Sequence, residues 1–122
     1  MVEALSRVNF DYDSAALSSS TKAALDDVAS IMGKNSSVRI EIQGHCDDRG
    51  TTGYNMGLGS RRATAVKRYL RRKGVDESRL KTVSYGEERP LASGGYESAW
   101  SQNRRAEFRV TAGENVRGTT DR

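Results

Sequence analysis

Between Val38 and Lys73 the chain changes its hydrophobic period, and that switch constrains the fold more than anything else in the sequence. Val38, Ile40 and Ile42 alternate with Arg39, Glu41 and Gln43, the period-two pattern of a strand with one buried face. The strand runs straight into the loop Gly44-His45-Cys46-Asp47-Asp48-Arg49-Gly50. Beyond it the period is helical. A helix is predicted to begin near Tyr54–Met56, to run to about Lys73 and to stop at Gly74. Leu58, Arg62 and Val66 are spaced by four and Asn55, Arg62 and Tyr69 by seven, which puts Arg62 in the inward stripe of that helix. A strand, loop and helix of this kind must lay the helix over a sheet to bury both apolar faces.

The flanking segments supply the rest of the sheet. Val8, Phe10 and Tyr12 alternate with Asn9 and Asp11 as a half-buried strand, broken at Asp13-Ser14. Ser18 to Ser20 offer N-caps to a first helix with Leu25, Val28, Ile31 and Met32 on its apolar face, and Gly33 is placed to end it. Thr82 to Tyr85 predicts a third strand, with Pro90 setting the exit from it, and Ala106, Phe108 and Val110 predict a fourth. Tyr96 to Gln102 reads as a short helical turn burying Trp100. The order β-α-β-α-β-β predicts an α+β fold, a mixed sheet with helices packed on one face. Gly57 and Gly59 each cost the second helix about 1 kcal/mol against alanine, which makes sense where a backbone or a ligand comes close. Residues 1–7 read as an N-terminal extension, 8–110 as the domain, and 111–122, polar and unpatterned, as a flexible tail.

At 122 residues, 35% hydrophobic and 30% charged, the chain fits one domain with a modest core and a heavily solvated surface. Its net charge of +4 is concentrated on the second helix, at Arg61, Arg62, Lys67, Arg68, Arg71, Arg72 and Lys73. Nucleic acid is the obvious alternative partner for such a cluster, but only Tyr69 is interleaved with it as a stacking platform. A solvated face with cations near a helix C-terminus is favourable by itself, so no nucleic-acid partner is expected. Cys46 is the only cysteine, which excludes an intramolecular disulfide. No apolar run has the length to span a bilayer, and Met1-Val2-Glu3-Ala4-Leu5 does not open a signal peptide.

The chemistry centres on Arg62. A buried guanidinium without an anion is costly, so two readings stay open: an internal salt bridge to Asp47 or Asp13, or a ligand carboxylate held by two parallel hydrogen bonds. An acidic loop and a guanidinium brought to one concavity suit a ligand bearing both an ammonium and a carboxylate. His45 beside Cys46 invites a catalytic reading. Adjacent strand residues point to opposite faces, however, and nothing supplies an orienting group or an oxyanion hole, so no catalytic residue is expected. His45, Asp47 and Asp48 have no second ligand cluster to complete a metal site, so neither metal nor cofactor is expected, and His45 reads as a hydrogen-bonding residue at the strand's end. Arg104 and Arg105 read as charges guarding a strand edge.

The run His45 to Leu70, with Val83-Ser84-Tyr85-Gly86-Glu87-Glu88-Arg89-Pro90 and Asn103-Arg104-Arg105-Ala106, resembles the OmpA-like peptidoglycan-binding domains over about residues 8–110. The Asp-Arg-Gly-Thr and Ser-Tyr-Gly-Glu-Glu-Arg-Pro segments most resemble the lipoproteins of that family. By this resemblance Asp47 matches the aspartate of Gly-His-Thr-Asp and Arg62 the arginine of Leu-Ser-x-x-Arg-Ala. In the family these two grip the far end of the meso-diaminopimelate side chain of peptidoglycan stem peptides, the aspartate taking the ammonium and the arginine the carboxylate. Asp13 matches a residue of the same pocket, and Asn55 one that fixes the loop. Tyr12, His45, Cys46, Leu58 and Gly59 complete the implied surroundings. Cys46 replaces a threonine or alanine, Tyr12 a phenylalanine and Gly59 a frequent serine, and none of these removes a charge from the pocket.

The resemblance implies a non-catalytic binder that anchors the outer membrane to the cell wall from the periplasm. An export signal and a lipidated cysteine would stand upstream, and periplasmic Tol proteins would be partners on an overlapping surface. The alternatives are the same domain attached to an outer-membrane porin or a flagellar stator, and a peptidoglycan hydrolase.

Overall fold

The structure is a computed structural model and describes residues 7–113. The first strand, β1 (Arg7–Asn9), is shorter than its alternation suggests. Phe10 still buries its ring, at 5% exposure, but Tyr12 stands 59% exposed. The chain leaves the sheet there because Ser14 N–H turns back to the Asp11 carbonyl and Asp13 takes a left-handed conformation, φ +52°. Aspartate is one of the few side chains that tolerates this region.

Helix α1 (Ser19–Lys34) starts at Ser18, whose hydroxyl accepts from Thr21 N–H at 3.1 Å. It runs through Gly33 rather than ending there. Asn35 closes it, its side-chain amide donating to the Ile31 carbonyl at 2.8 Å. A carbonyl satisfied by an asparagine side chain removes the need for a left-handed glycine.

Strand β2 (Arg39–His45) pairs in parallel with β3 (Leu80–Gly86) and antiparallel with β4 (Arg105–Ala112). With β1 antiparallel to β4 the sheet order is β1-β4-β2-β3. The parallel pair requires a crossover, supplied by α2 (Thr52–Arg72), which packs on β2 and β3 while α1 packs on α2. Helix α2 begins earlier than its periodicity indicates because Thr51 caps it, accepting from Tyr54 N–H at 3.1 Å, and Gly74, φ +101°, lies just past its end. Between β3 and β4 lies α3 (Glu97–Asn103), which buries Ala99 and leaves Trp100 only half-buried, contrary to the buried indole expected. The fold is the expected α+β mixed sheet, with α3 as a third helix. Strand β4 continues to Ala112, past the expected domain end at 110. The remainder of the N-terminal extension, 1–6, and of the tail, 114–122, lies outside the described residues.

Leu25, Val28 and Met32 of α1, Ile40 and Ile42 of β2, and Ala63, Val66 and Leu70 of α2 form the core with Val8, Phe10 and Ala106. The opposite face of the sheet is charged, with Arg109 on Glu41 at 3.2 Å and Arg105 paired to Glu107. One contact sets the position of α2. Gly44 and Gly59 meet backbone to backbone, and a Cβ on either would strike the other residue's main chain. Gly59 therefore serves the close approach expected of it. Gly57 does not, since only the tip of the Arg61 side chain comes near it. The approach draws the first turns of α2 against the end of β2 and brings Arg62 beside the Gly44–Gly50 loop.

Candidate functional site

Arg62 is the largest side chain with full burial, at 0% exposure. Its Nε donates to the Ser14 carbonyl at 2.8 Å, one Nη to the His45 carbonyl at 2.9 Å and the other to the Asp11 carbonyl at 3.0 Å. It forms no ion pair with any carboxylate of the described residues, so the internal bridge to Asp47 or Asp13 is not made. Burial lowers its pKa, with the nearby Cys46 and Asp47 working the other way. A guanidinium has five N–H donors, so one remains on each terminal nitrogen.

Asp47 is 5% exposed and is held by a cage of cations. Its Oδ1 accepts from Arg49 N–H at 3.0 Å and Arg49 Nε at 3.3 Å, and its Oδ2 from Arg49 Nη2 at 2.8 Å, with Arg104 Nη1 at 3.7 Å. Burial alone would raise the carboxyl's pKa. The hydrogen bonds and charge of Arg49, with the charge of Arg104, outweigh that and hold it below the ordinary aspartate value. Arg104 also donates to the Phe10 carbonyl at 2.8 Å and pairs with Glu97 at 2.8 Å, tying β1 to α3. It is thus more than an edge charge.

Between Asp47 and Arg62 opens a recess of about 120 Å³ lined by Tyr12, Asp13, Cys46, Asp47, Arg49, Gly50, Tyr54, Asn55, Leu58 and Arg62. Two depressions elsewhere are larger, about 740 Å³ along β1 and α1 and about 720 Å³ beyond the end of α2. Both are more open, and neither joins a buried carboxylate to a buried guanidinium. At the mouth of the small recess Tyr54 donates its hydroxyl hydrogen to Asp13. Asn55 secures the floor, its amide donating to the Arg49 carbonyl at 3.0 Å, to Glu87 at 2.6 Å and to the Asp47 carbonyl at 3.4 Å. The Cys46 thiol donates to the Asn55 carbonyl at 3.2 Å, and burial raises its pKa, so it stays protonated at neutral pH.

Two expected members stand apart. Gly59 packs against Gly44 instead of lining the recess. His45 lends only its carbonyl. Its ring stacks on Tyr85 at 5.4 Å between centroids, and at 1% exposure neither ring nitrogen has a hydrogen-bond partner. The hydrogen-bonding role expected of His45 is therefore not fulfilled. Desolvation, reinforced by the charge of Arg105, lowers its pKa to about 4. Among the described residues no three His, Cys, Asp or Glu side chains converge as a metal site, and no helix is long and apolar enough to cross a membrane.

The sequence reading missed the part played by Arg49 and Trp100. The Arg49 guanidinium lies 3.9 Å from the ring centre of Tyr12 and 3.8 Å from that of Trp100, whose indole N–H donates to Asp48 at 3.0 Å. An arginine two residues after an aspartate in a loop is the only local signal. Trp100 comes from a distant helix and leaves none.

A four-stranded mixed sheet of this order, with an aspartate at the end of β2 facing an arginine of the crossover helix, defines a class, and residues 9–104 match the OmpA family. The chain belongs to that family. Over 108 residues it is 47% identical to the peptidoglycan-associated lipoprotein of Pseudomonas aeruginosa, an alignment covering 88% of this chain and 64% of the relative. It is 46% identical over 100 residues to the protein of the same name from Rhizobium meliloti, covering 82% of this chain and 57% of that one. The chain thus spans about three fifths of the length of these relatives. The crystal structure of the peptidoglycan-associated lipoprotein from Burkholderia pseudomallei superposes with a TM-score of 0.85 at 40% identity, covering 87% of this chain and 90% of that one. The C-terminal domain of Helicobacter pylori MotB shares the fold, with a TM-score of 0.83 at 24% identity and coverage of 92% and 88%.

Proposed function

We propose that the chain is a non-catalytic module that binds peptidoglycan, in keeping with relatives named as peptidoglycan-associated, and so anchors the outer membrane to the cell wall from the periplasm. The anchor would be a lipid on a segment upstream of this one, and periplasmic Tol proteins would share the binding face. The ligand is the diaminopimelate residue of a stem peptide. Asp47, with Asp13 at the rim, receives its ammonium, and the two free N–H groups of Arg62 receive its terminal carboxylate. The observation that carries this reading is the bonding of Arg62: a wholly buried cation held by neutral carbonyls, with no carboxylate partner among the described residues, beside a recess with two aspartates. A ligand carboxylate supplies the missing anion in a site already shaped.

Diaminopimelate and lysine share the side-chain amine, but only diaminopimelate carries a carboxylate on the same carbon. Titration of the two stem peptides by calorimetry is the test. A lysine stem leaves the Arg62 charge unmatched, and the expected preference for diaminopimelate is at least about tenfold, or about 1.4 kcal/mol. Equal affinities would mean that Arg62 does not read the ligand.

A further inference from the structure

The recess that would take an ammonium already contains a cation. Arg49 reaches both oxygens of Asp47, through Nε and Nη2, and is kept there by the rings of Tyr12 and Trp100 on its faces. Hydrogen bonding to Asp47 raises the pKa of Arg49, so it is charged at every physiological pH. Arg104 stands on the same carboxylate at 3.7 Å, and Arg62 lies across the recess. An ammonium arriving without displacement would be a further cation crowded onto one buried carboxylate. Exchange avoids that, since one cation leaves as another enters and the charge of the site is unchanged.

We infer that Arg49 is an internal competitor: it occupies Asp47 in the empty site and must swing off before a ligand ammonium can take its place. This rests on the ligand reading above and adds a regulatory element to it. Three features fit a latch better than a fixed structural pair. The Arg49 side chain is 29% exposed, against 6% for Asp47, so it has a path outward and its partner has none. Its backbone N–H bond to Asp47 Oδ1, 3.0 Å, survives when the side chain leaves, so the loop need not unfold. Of the two aromatic rings that retain it, Tyr12 lines the recess but Trp100, on α3, does not, so part of the closing force is set outside the charged pocket. For a ligand whose ammonium needs Asp47, the competitor reduces affinity to the fraction set by the time Arg49 spends away from that carboxylate.

The test is calorimetric titration of a diaminopimelate stem peptide into the parent, Arg49→Gln and Trp100→Leu, with the same peptide acetylated on its side-chain amine as control. Binding by the parent is measured first. A parent that does not bind sinks the ligand assignment and the latch with it. Given parent binding, Arg49→Gln should bind about tenfold tighter, as expected if the latch is closed about nine-tenths of the time. Trp100→Leu should tighten binding by a few-fold, and neither gain should appear with the acetylated peptide. Affinity of Arg49→Gln equal to or below that of the parent overturns the latch and leaves the ligand assignment standing. If Arg49→Gln does not fold, the sign of the Trp100→Leu effect decides the matter, since Trp100 lies outside the recess.

Discussion

Arg62 and Arg79 stand at opposite ends of β2 and are bonded in the same way, yet only one of them stands at a candidate site. Arg79 donates through Nε to the Val38 carbonyl at 2.8 Å and through Nη2 to the carbonyls of Met32 and Asn35 at 2.9 and 2.7 Å. Arg62 likewise gathers three carbonyls at the far end of the strand. Arg79's acceptors include the end of α1, where a cation complements the helix dipole, and its side chain is half-buried, so water shares its charge. Arg62 is wholly buried, has no helix terminus to offset its charge, and faces a recess with two aspartates. Carbonyl bonding alone thus marks a brace. Full burial and an adjoining recess are what set Arg62 apart, and the proposed carboxylate site rests on them.

The strongest way to break this contrast is Arg62→Ala. Removing one partner of a desolvated charge pair costs about 2–5 kcal/mol of binding, so stem-peptide affinity should fall by on the order of a hundredfold or more. The three carbonyls it braces lose their donor as well, so the fold should also be weakened, and binding must be read where circular dichroism shows the variant folded. Arg62→Lys keeps the charge without the fork and should fall between. Undiminished pull-down on purified peptidoglycan by a folded Arg62→Ala would make Arg62 a second Arg79.

Acid separates the two ends next. His45, whose carbonyl Arg62 holds, is the only histidine. It titrates near 6.5 when unfolded and near 4 in the fold. The unfolded chain therefore takes up the proton first. Stability contributed by the neutral ring is full above about 6.5, is lost as pH falls, and is gone below about 4, a change on the order of 3 kcal/mol. Urea unfolding at pH 7.5 and pH 4.5 should show most of this loss. Hydrogen exchange at pH 5 should quicken around Cys46 and Arg62 before it does around Met32 and Asn35. His45→Phe, which keeps the stack on Tyr85, should flatten the dependence.

Arg79→Ala should cost about 2 kcal/mol of stability and leave stem-peptide affinity within about twofold. A binding loss as large as that of Arg62→Ala would show that affinity follows general stability instead of the recess.

The contrast also separates what the sequence carries from what it does not. That Arg62 points inward was legible, because a period of four and seven fixes a helical face whatever the partner. That its partners would be the carbonyls of Asp11, Ser14 and His45 was not, because a carbonyl has no residue identity. Alternation placed β2 and β4 for the same reason that the helical period placed Arg62. It misjudged Tyr12, since the turn at Asp13 takes over after Asn9, and Gly33, since the Asn35 side chain sets that helix end. The Gly44–Gly59 approach was half legible: a costly glycine in a helix announces a neighbour without saying which. Arg49 and Trp100 were illegible as a pair because their meeting depends on where α3 docks.

The smallest expected effect belongs to Cys46→Ala, and it asks whether lining the recess is enough to matter. Cys46 shares the recess with Asp47 and Arg62 but carries no charge, its thiol kept protonated by burial and bonded to the Asn55 carbonyl. Losing one weak donor and one sulfur atom from a buried site should cost about 1 kcal/mol of stability. Binding should change by less than about twofold, because neither the ammonium nor the carboxylate of the ligand finds a partner in a neutral thiol. Thermal unfolding and titration of the same variant measure both. A folded Cys46→Ala that had lost its ligand would mean that the thiol takes part in recognition, and the division of the recess into charged readers and neutral walls would have to be redrawn.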